Sequence, residues 1–432
     1  MRRPSRYRLG AAAQIIALIV LFCAPSLAAD VLTWEDCVKE AAKQNLDIRS
    51  AKETLEASKY GVKAAYSGFF PTVTGNASYS KGNSFSFSEQ TGNPSDTQNK
   101  SVSASVSASE NIFAGFRDKA LVAQGKANKD ASSAALDTTK VTVSFNLKSS
   151  FAGLLYAQNY LKLSESIIQR RSENARMVEL RYDSGVENKG SYLLAKAFLS
   201  QAHLEKTLAR DAISVSREQL AVVMGLPRYT SLNIRGPAPT HSPPSEPDFK
   251  AISMGVPDLS KAIAQEQASK AGVKLARSNF FPNLSAVGTV SSQGQGWTPD
   301  NGRNSVGLNM SLPVFTGGKD YFNYKTAGAS YAAASYQRDS VEIGLIPKLK
   351  DAYNKYVEAV ERLEVDRAFV EAAEVRAEIA RSKYNNGLMS FEDWDIIEND
   401  LITKQKTFLQ SQRDRVTAEG AWEQAQGKGE IQ

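Results

Sequence analysis

The sequence predicts a mainly α-helical chain with four long β-strands, laid out as two copies of one structural repeat. Three observations predict it. ASKYGVKAAYSGFFP at 57–71 recurs as ASKAGVKLARSNFFP at 268–282, at a shift of 280 − 69 = 211. A fixed-shift repeat of this length decides architecture ahead of local propensity. Each copy leads into apolar/polar alternation of period two, the mark of strands with one apolar face. Each strand pair then gives way to a helical pattern of roughly sixty residues with apolar positions three, four and seven apart.

The chain opens with Arg2, Arg3, Arg6 and Arg8, an apolar run from Leu9 to Cys23, Pro25, and the small-residue stretch Ser26-Leu27-Ala28. Residues 1–28 read as a secretory signal peptide cut near Ala28 or Ala29, the apolar run being short for a membrane span. Lipidation at Cys23 is the alternative, disfavoured by the bulky Phe22 before it. Loss of the four arginines takes the net charge from +6 to +2. The basic balance therefore belongs to the leader, and nucleic-acid binding loses its electrostatic argument. Cys37 alone remains, so no internal disulfide forms. No later run is apolar and long enough for a transmembrane helix, so any membrane crossing falls to the strands.

Residues 29–225 form the first repeat. A helix runs over 33–68 from Thr33 as N-cap to Phe69-Phe70-Pro71, where proline ends the helix and starts a strand. Strand 71–80 sets Val73, Gly75, Ala77 and Tyr79 on one face. The polar stretch 81–100 reads as a loop. Strand 101–113 sets Val102, Ala104, Val106, Ala108 and Ile112 against serines. After Ala114-Gly115-Phe116-Arg117, a helix runs over 118–182 with the stripe Val143, Leu147, Phe151, Leu154 and Leu161. Tyr182-Asp183-Ser184-Gly185 breaks it, and a second helix spans 190–224. Residues 226–257 hold seven of the fifteen prolines and read as a linker.

Residues 258–427 repeat the plan, with a tail at 428–432. Helix 258–279 reaches Phe280-Phe281-Pro282; strand 283–291, loop 292–304 and strand 305–315 follow. Val306, Leu308, Met310, Leu312 and Val314 share one face. The shift falls to 314 − 112 = 202, which a shorter hairpin explains. The stripe becomes Leu345, Leu349, Tyr353, Tyr356 and Leu363, with a kink expected at Pro347. The break becomes Tyr384-Asn385-Asn386-Gly387.

Four strands cannot close a membrane barrel, because about eight is the smallest closed form, and open strand edges are not tolerated in lipid. Either the sheet is small and soluble or several chains pool their strands. The long stripes likewise call for neighbours, since one thin monomer would leave them uncovered. Enzymatic chemistry is not indicated. His203 and His241 lie far apart, no Cys/His set has metal-ligand spacing, and no phosphate-binding glycine loop or nucleophile elbow appears. No cofactor is implied.

On Leu312-Pro313-Val314-Phe315-Thr316-Gly317-Gly318, the two Phe-Phe-Pro junctions, and the tips Arg181-Tyr182-Asp183-Ser184-Gly185 and Lys383-Tyr384-Asn385-Asn386-Gly387, the chain resembles the TolC family of outer-membrane efflux and secretion channels. The resemblance implies a homotrimer pooling twelve strands in one outer-membrane barrel. The helices would continue it as a hollow α-barrel through the periplasm. It also implies a periplasmic adaptor and an inner-membrane pump or ABC exporter as partners, in drug efflux or type I secretion. A secreted trimeric coiled-coil adhesin with a small membrane anchor is the alternative. It would show one heptad run leading to one strand set.

The family pattern Gly-x-x-Ser/Thr-x-x-Asp fits Gly387, Ser390 and Asp393. With Tyr384, and with Tyr182 and Gly185 of the first repeat, these form the expected gate. Three positions depart from it: Ser191 stands at the place equivalent to Asp393, Ile396 where some members carry a second aspartate, and Met389 where some carry an arginine. Two readings of Asp393 stay open. It completes a helix cap with Ser390, or it also forms a ring of three carboxylates on the threefold axis.

Overall fold

Residue Thr33 starts the first helix because its hydroxyl and the Asp36 side chain satisfy each other's backbone N–H groups, a complete capping box. The computed structural model describes residues 31–87, 94–226, 232–245 and 247–431. The signal-peptide region 1–28 lies outside the described residues.

The helix expected over 33–68 is two helices, α1 (Trp34–Gln44) and α2 (Leu46–Ala65), closed by a 3₁₀ turn at Tyr66–Phe69. Asn45 divides them. Its Oδ1 accepts from Ile48 N at 2.9 Å and its Nδ2 donates to the Val223 carbonyl at 2.7 Å. Gly225, at positive φ, lies so close to Gln44 that a Cβ there would collide with its carbonyl. The break is thus dictated by a chain segment far away in sequence.

The strands are β2 (Thr72–Phe87), β3 (Pro94–Ala114), β5 (Asn283–Gly294) and β6 (Asn301–Ser311), antiparallel in the order β2-β3-β5-β6. A short parallel pair joins β1 (Val31–Leu32) to β4 (Asn233–Ile234). The expected loop at 81–100 is mostly ladder, because pairing continues to Phe87 opposite Pro94. The sequence marks it only by the brief alternation Ser84-Phe85-Ser86-Phe87, set among turn-forming residues. The loop expected at 292–304 likewise shrinks to the turn between β5 and β6. The strand expected at 305–315 runs instead from Asn301 to Ser311; Pro313, lacking an N–H, stands beyond its end.

Helices α3 (Arg117–Asp183) and α7 (Lys319–Asn385) are 67 residues each, or about 100 Å long at 1.5 Å per residue. α7 passes Pro347 without interruption. α4 (Lys189–Met224) and α8 (Phe391–Ala425) return from their far ends, and α6 (Pro257–Ser278) leads into β5. α3 packs against α2, α4, α6 and α8, and α7 against α6 and α8.

The stripes do not wait for a neighbouring chain. Val143, Leu147, Phe151 and Leu154 are buried with Trp34, Cys37, Leu220 and Met224. Leu349 and Tyr356 are buried with Trp422. The reason is the described part of the segment between the repeats: Leu232, Ile234 and Ala238 enter the first cluster, and α5 (Phe249–Met254) covers the second. The tail returns too, with Ile431 N donating to Ser144 Oγ at 3.1 Å. Cys37 is fully buried and desolvation pushes its thiol up to about 12, so it is an inert core residue.

Both strand–helix turns use consecutive left-handed residues: Gly115 and Phe116 in the first repeat, Gly317 and Gly318 in the second. A Cβ at Gly115 would come within 2.5 Å of the Ser278 carbonyl. Phe116 is the one non-glycine residue at positive φ among the described residues. Edge contacts of its ring with Phe113 and Phe281 hold it there.

Candidate functional site

Helices α3 and α7 end alike. Ser184 and Asn386 cap them, Gly185 (φ 76°) and Gly387 (φ 73°) reverse the chain, and Asn188 and Ser390 start the returning helices. The Asn188 Oδ1 accepts from Ser191 N at 2.9 Å, and the Ser390 Oγ from Asp393 N at 3.1 Å.

The two tips meet on Tyr384, which is 1% exposed. Its ring stacks on Trp394 at 4.4 Å, and the Arg181 guanidinium covers it at 4.7 Å. Its hydroxyl donates to Glu187 Oε2 at 2.9 Å, and its carbonyl accepts from Arg181 Nη1 at 3.2 Å. Burial, then the Glu187 carboxylate, push the Tyr384 phenol well above its ordinary range, so it is a fixed neutral donor. Ala175, Val178, Ala195, Ala380 and Phe391 complete this small core. Tyr182 stands apart, stacked on Tyr192 at 5.4 Å. The Tyr192 hydroxyl donates to Glu179 and accepts from Lys196.

Of the residues expected from sequence, Tyr384, Gly387, Ser390, Gly185 and Tyr182 lie at the tips. Asp393 is exposed and accepts from the Ser390 hydroxyl at 2.8 Å, so the capping role is present. Ser191 is buried, so the equivalent positions of the two repeats face different surroundings. Asp395 points away from Asp393, into an ion pair with the buried Arg171 at 3.0 Å; Arg171 also donates to Asn399 and lies over the Phe198 ring. Arg181 belongs to the tip read from the sequence but not to the expected gate; Glu187, Trp394 and Arg171 belong to neither. The signal for Glu187 was its contrast with Met389, its counterpart at the 202-residue shift.

The junction residues Phe69, Phe70 and Phe280 are exposed, with Phe281 and Pro282 half-buried, beside the first rungs of the sheet. Register gives the sheet two chemically distinct faces. Val73, Ala77, Tyr79, Val102, Ala104, Val106, Ala108, Val290, Val306 and Leu308 share one. Ser103, Ser105, Ser107 and Ser109 share the other with Thr74, Asn76, Ser78, Thr289 and Asn309. The outer edges of β2 and β6 carry no partner among the described residues.

The structure also gives His241 partners that are distant in sequence. His241 Nδ1 reaches Glu419 Oε1 at 2.9 Å, and its ring and the Glu419 and Glu423 carboxylates lie within 4.8 Å of one another. The Lys148 ammonium already stands there, 3.3 Å from Glu419 and 2.8 Å from Glu423, so the group carries its own cation. The His241 backbone is fixed as well, its N–H donating to Glu419 and its carbonyl accepting from the Tyr356 hydroxyl. Burial raises the Glu423 carboxyl and pushes the Tyr356 phenol up to about 12. This cluster fastens the proline-rich segment to α8.

The sequence pattern of the outer membrane efflux proteins matches residues 37–226 and 254–428. The chain belongs to that family. It is 22% identical to nodulation protein T of Rhizobium leguminosarum bv. viciae over 377 residues, 84% of this chain and 75% of the relative. It is 21% identical to outer membrane protein TolC of Escherichia coli K12, over 82% of this chain and 74% of TolC. To outer membrane efflux protein BepC of Brucella suis it is 21% identical, over 96% and 90%. Among solved structures, the Campylobacter jejuni CmeC outer membrane channel superposes with a TM-score of 0.83 at 17% identity, covering 92% of this chain and 86% of that one. Vibrio cholerae VceC gives 0.81 at 20% identity, covering 92% and 97%. The efflux protein is thus an outer-membrane channel with the TolC-like fold, reaching into the periplasm, and its family is one of ducts rather than enzymes.

Proposed function

We propose that three copies form the passive exit duct of a tripartite assembly, with a periplasmic adaptor and an inner-membrane pump or ABC exporter supplying the energy. The observation that carries this is the sheet: four strands with one apolar face and two unpaired edges, continuous with helices of about 100 Å. Such edges need partners in lipid, and three copies give twelve strands, within the range of closed barrels. The alternative of an adhesin with one helical stalk and one strand set does not fit two hairpins interleaved with helices.

The tips would then be the gate. Tyr384, held by Glu187 and Arg181, fixes the α7–α8 tip against the α3–α4 tip, and the Asp393 carboxylates of three copies converge on the axis. The test is topological. An epitope tag at Asp300 should be accessible on intact cells. One at Asn386 should be reached only after the outer membrane is permeabilised, and the unheated protein should migrate as a trimer. Protection of the Asp300 tag on intact cells would overturn the reading.

A further inference from the structure

Beyond the duct itself, the apolar face of the sheet ends in a charged and aromatic boundary. On β3 the apolar face runs from Val102 to Ala108, bounded by Lys100 at one end and Glu110 at the other. Past Glu110 the register shifts at Asn111/Phe113 and the alternation stops. The ten residue steps from Lys100 to Glu110 span ~33 Å along the strand, or ~25 Å across a membrane at a tilt of ~40°, the height of the apolar band of an outer-membrane barrel. Lys100 therefore stands at the outer boundary.

At that boundary Lys100 pairs with Lys81 of β2, both on the apolar face. Like charges directly opposite on one sheet face repel. Neither lysine has an ion pair among the described residues. Asp300, the acid of the β5–β6 turn, turns onto Gly294 instead. One step toward the membrane from the lysines is Tyr79, paired with Val102. The β5–β6 turn brings Trp297 across to stack on Tyr79, ring centroids 5.5 Å apart and planes within 7°. Trp297 is 83% exposed and Tyr79 53% exposed, an unusual place for a stacked pair facing water. Aromatic rings with a polar edge belong at the membrane–water interface.

We propose that Lys81 and Lys100, above the Tyr79–Trp297 stack, bind the phosphorylated headgroup of an outer-leaflet glycolipid, with its acyl chains on the Val102–Ala108 face. The phosphate relieves the lysine repulsion, and the aromatic pair marks the glycerol or sugar depth. The inference rests on the membrane-spanning reading of the sheet.

The test uses the full-length protein in two measurements. In vesicles containing brominated phosphatidylcholine, Trp297 should be quenched and Trp297→Phe should abolish the quenching. Trp34, Trp394 and Trp422 do not interfere, being buried in the helical part. In detergent, diphosphorylated lipid A should bind on the order of tenfold more tightly to the native protein than to Lys81→Gln/Lys100→Gln. Lys81→Arg/Lys100→Arg should retain binding, and dephosphorylated lipid A should not distinguish the proteins. Equal binding of diphosphorylated lipid A to the native and double-Gln proteins, with Trp297 still quenched, overturns the headgroup site alone. Displacement of the lipid by millimolar inorganic phosphate overturns the lipid as its occupant. Absence of Trp297 quenching in the native protein overturns the membrane-spanning reading itself.

Discussion

Replacing Lys148 by Met should be among the most damaging single changes in the helical part. Lys148 is 1% exposed and Glu419 2% exposed, so neither charge has water to turn to. At an effective dielectric of about 20, an ammonium ~3 Å from a carboxylate gains roughly 5–6 kcal/mol of gross attraction, which desolvation of both partners largely offsets. The asymmetry decides the outcome. Removing the cation alone strands two carboxylates, one of them fully buried, at a cost of about 3–5 kcal/mol. That loss should depend on pH, and the sign follows from Glu423. Burial already raises its carboxyl above the ordinary value, against the opposing effect of Lys148. A raised acid favours unfolding once it must ionise, so the penalty is present above its folded pKa and relieved below it. In Lys148→Met the opposing influence is gone and the raised range extends upward. The variant's unfolding midpoint, followed by tryptophan fluorescence in detergent, should therefore lie well below the native one at pH 7.5. It should recover part of the gap as pH falls toward 5. A constant gap across that range, or native stability at pH 7.5, would refute the account of Lys148 as the internal counter-ion.

Two further outcomes test the sheet and the tip. Leu308→Arg places a charge on the apolar face, where mid-bilayer arginine costs about 2–4 kcal/mol, and should cut trimer yield, whereas Asn309→Arg on the polar face should be mild; equal yields would refute the facing. Asp393→Asn keeps the Ser390 cap geometry and should weaken cation selectivity and multivalent-cation block in planar-bilayer recordings, with trimer yield unchanged; unaltered selectivity would leave only the cap.

What could be read from the sequence was whatever repeats at a short period. The Phe-Phe-Pro junctions, the alternation around Val106 and Leu308, and the stripe through Leu147 and Leu349 are local patterns, and each marks its element. The hairpin beyond Lys81 was hidden because Gly82, Asn83 and Pro94 carry turn signals, although Phe85 and Phe87 alternate with serines within it. The break at Asn45 was hidden because its cause, the Val223 carbonyl and Gly225, lies far along the chain. The same holds for the tip and the clasp. Tyr384 was legible as a tip residue, but Glu187 belongs to the other repeat. His241 looked isolated until the fold set it beside Glu419.

The two hairpins also differ in height, and this shapes the mouth of the duct. At the level of Ser103, where β5 and β6 turn, the β2–β3 ladder continues to Pro94. That is nine more residues, or ~30 Å along the strand. In the trimer proposed above, tall and short hairpins would alternate around the axis, and the rim would be crenellated with a notch over each β5–β6 turn. Cargo leaving such a lumen would meet an edge open at the sides, and would spill laterally just above the lipid rather than only along the axis. Whatever approaches from outside meets the tall hairpins first.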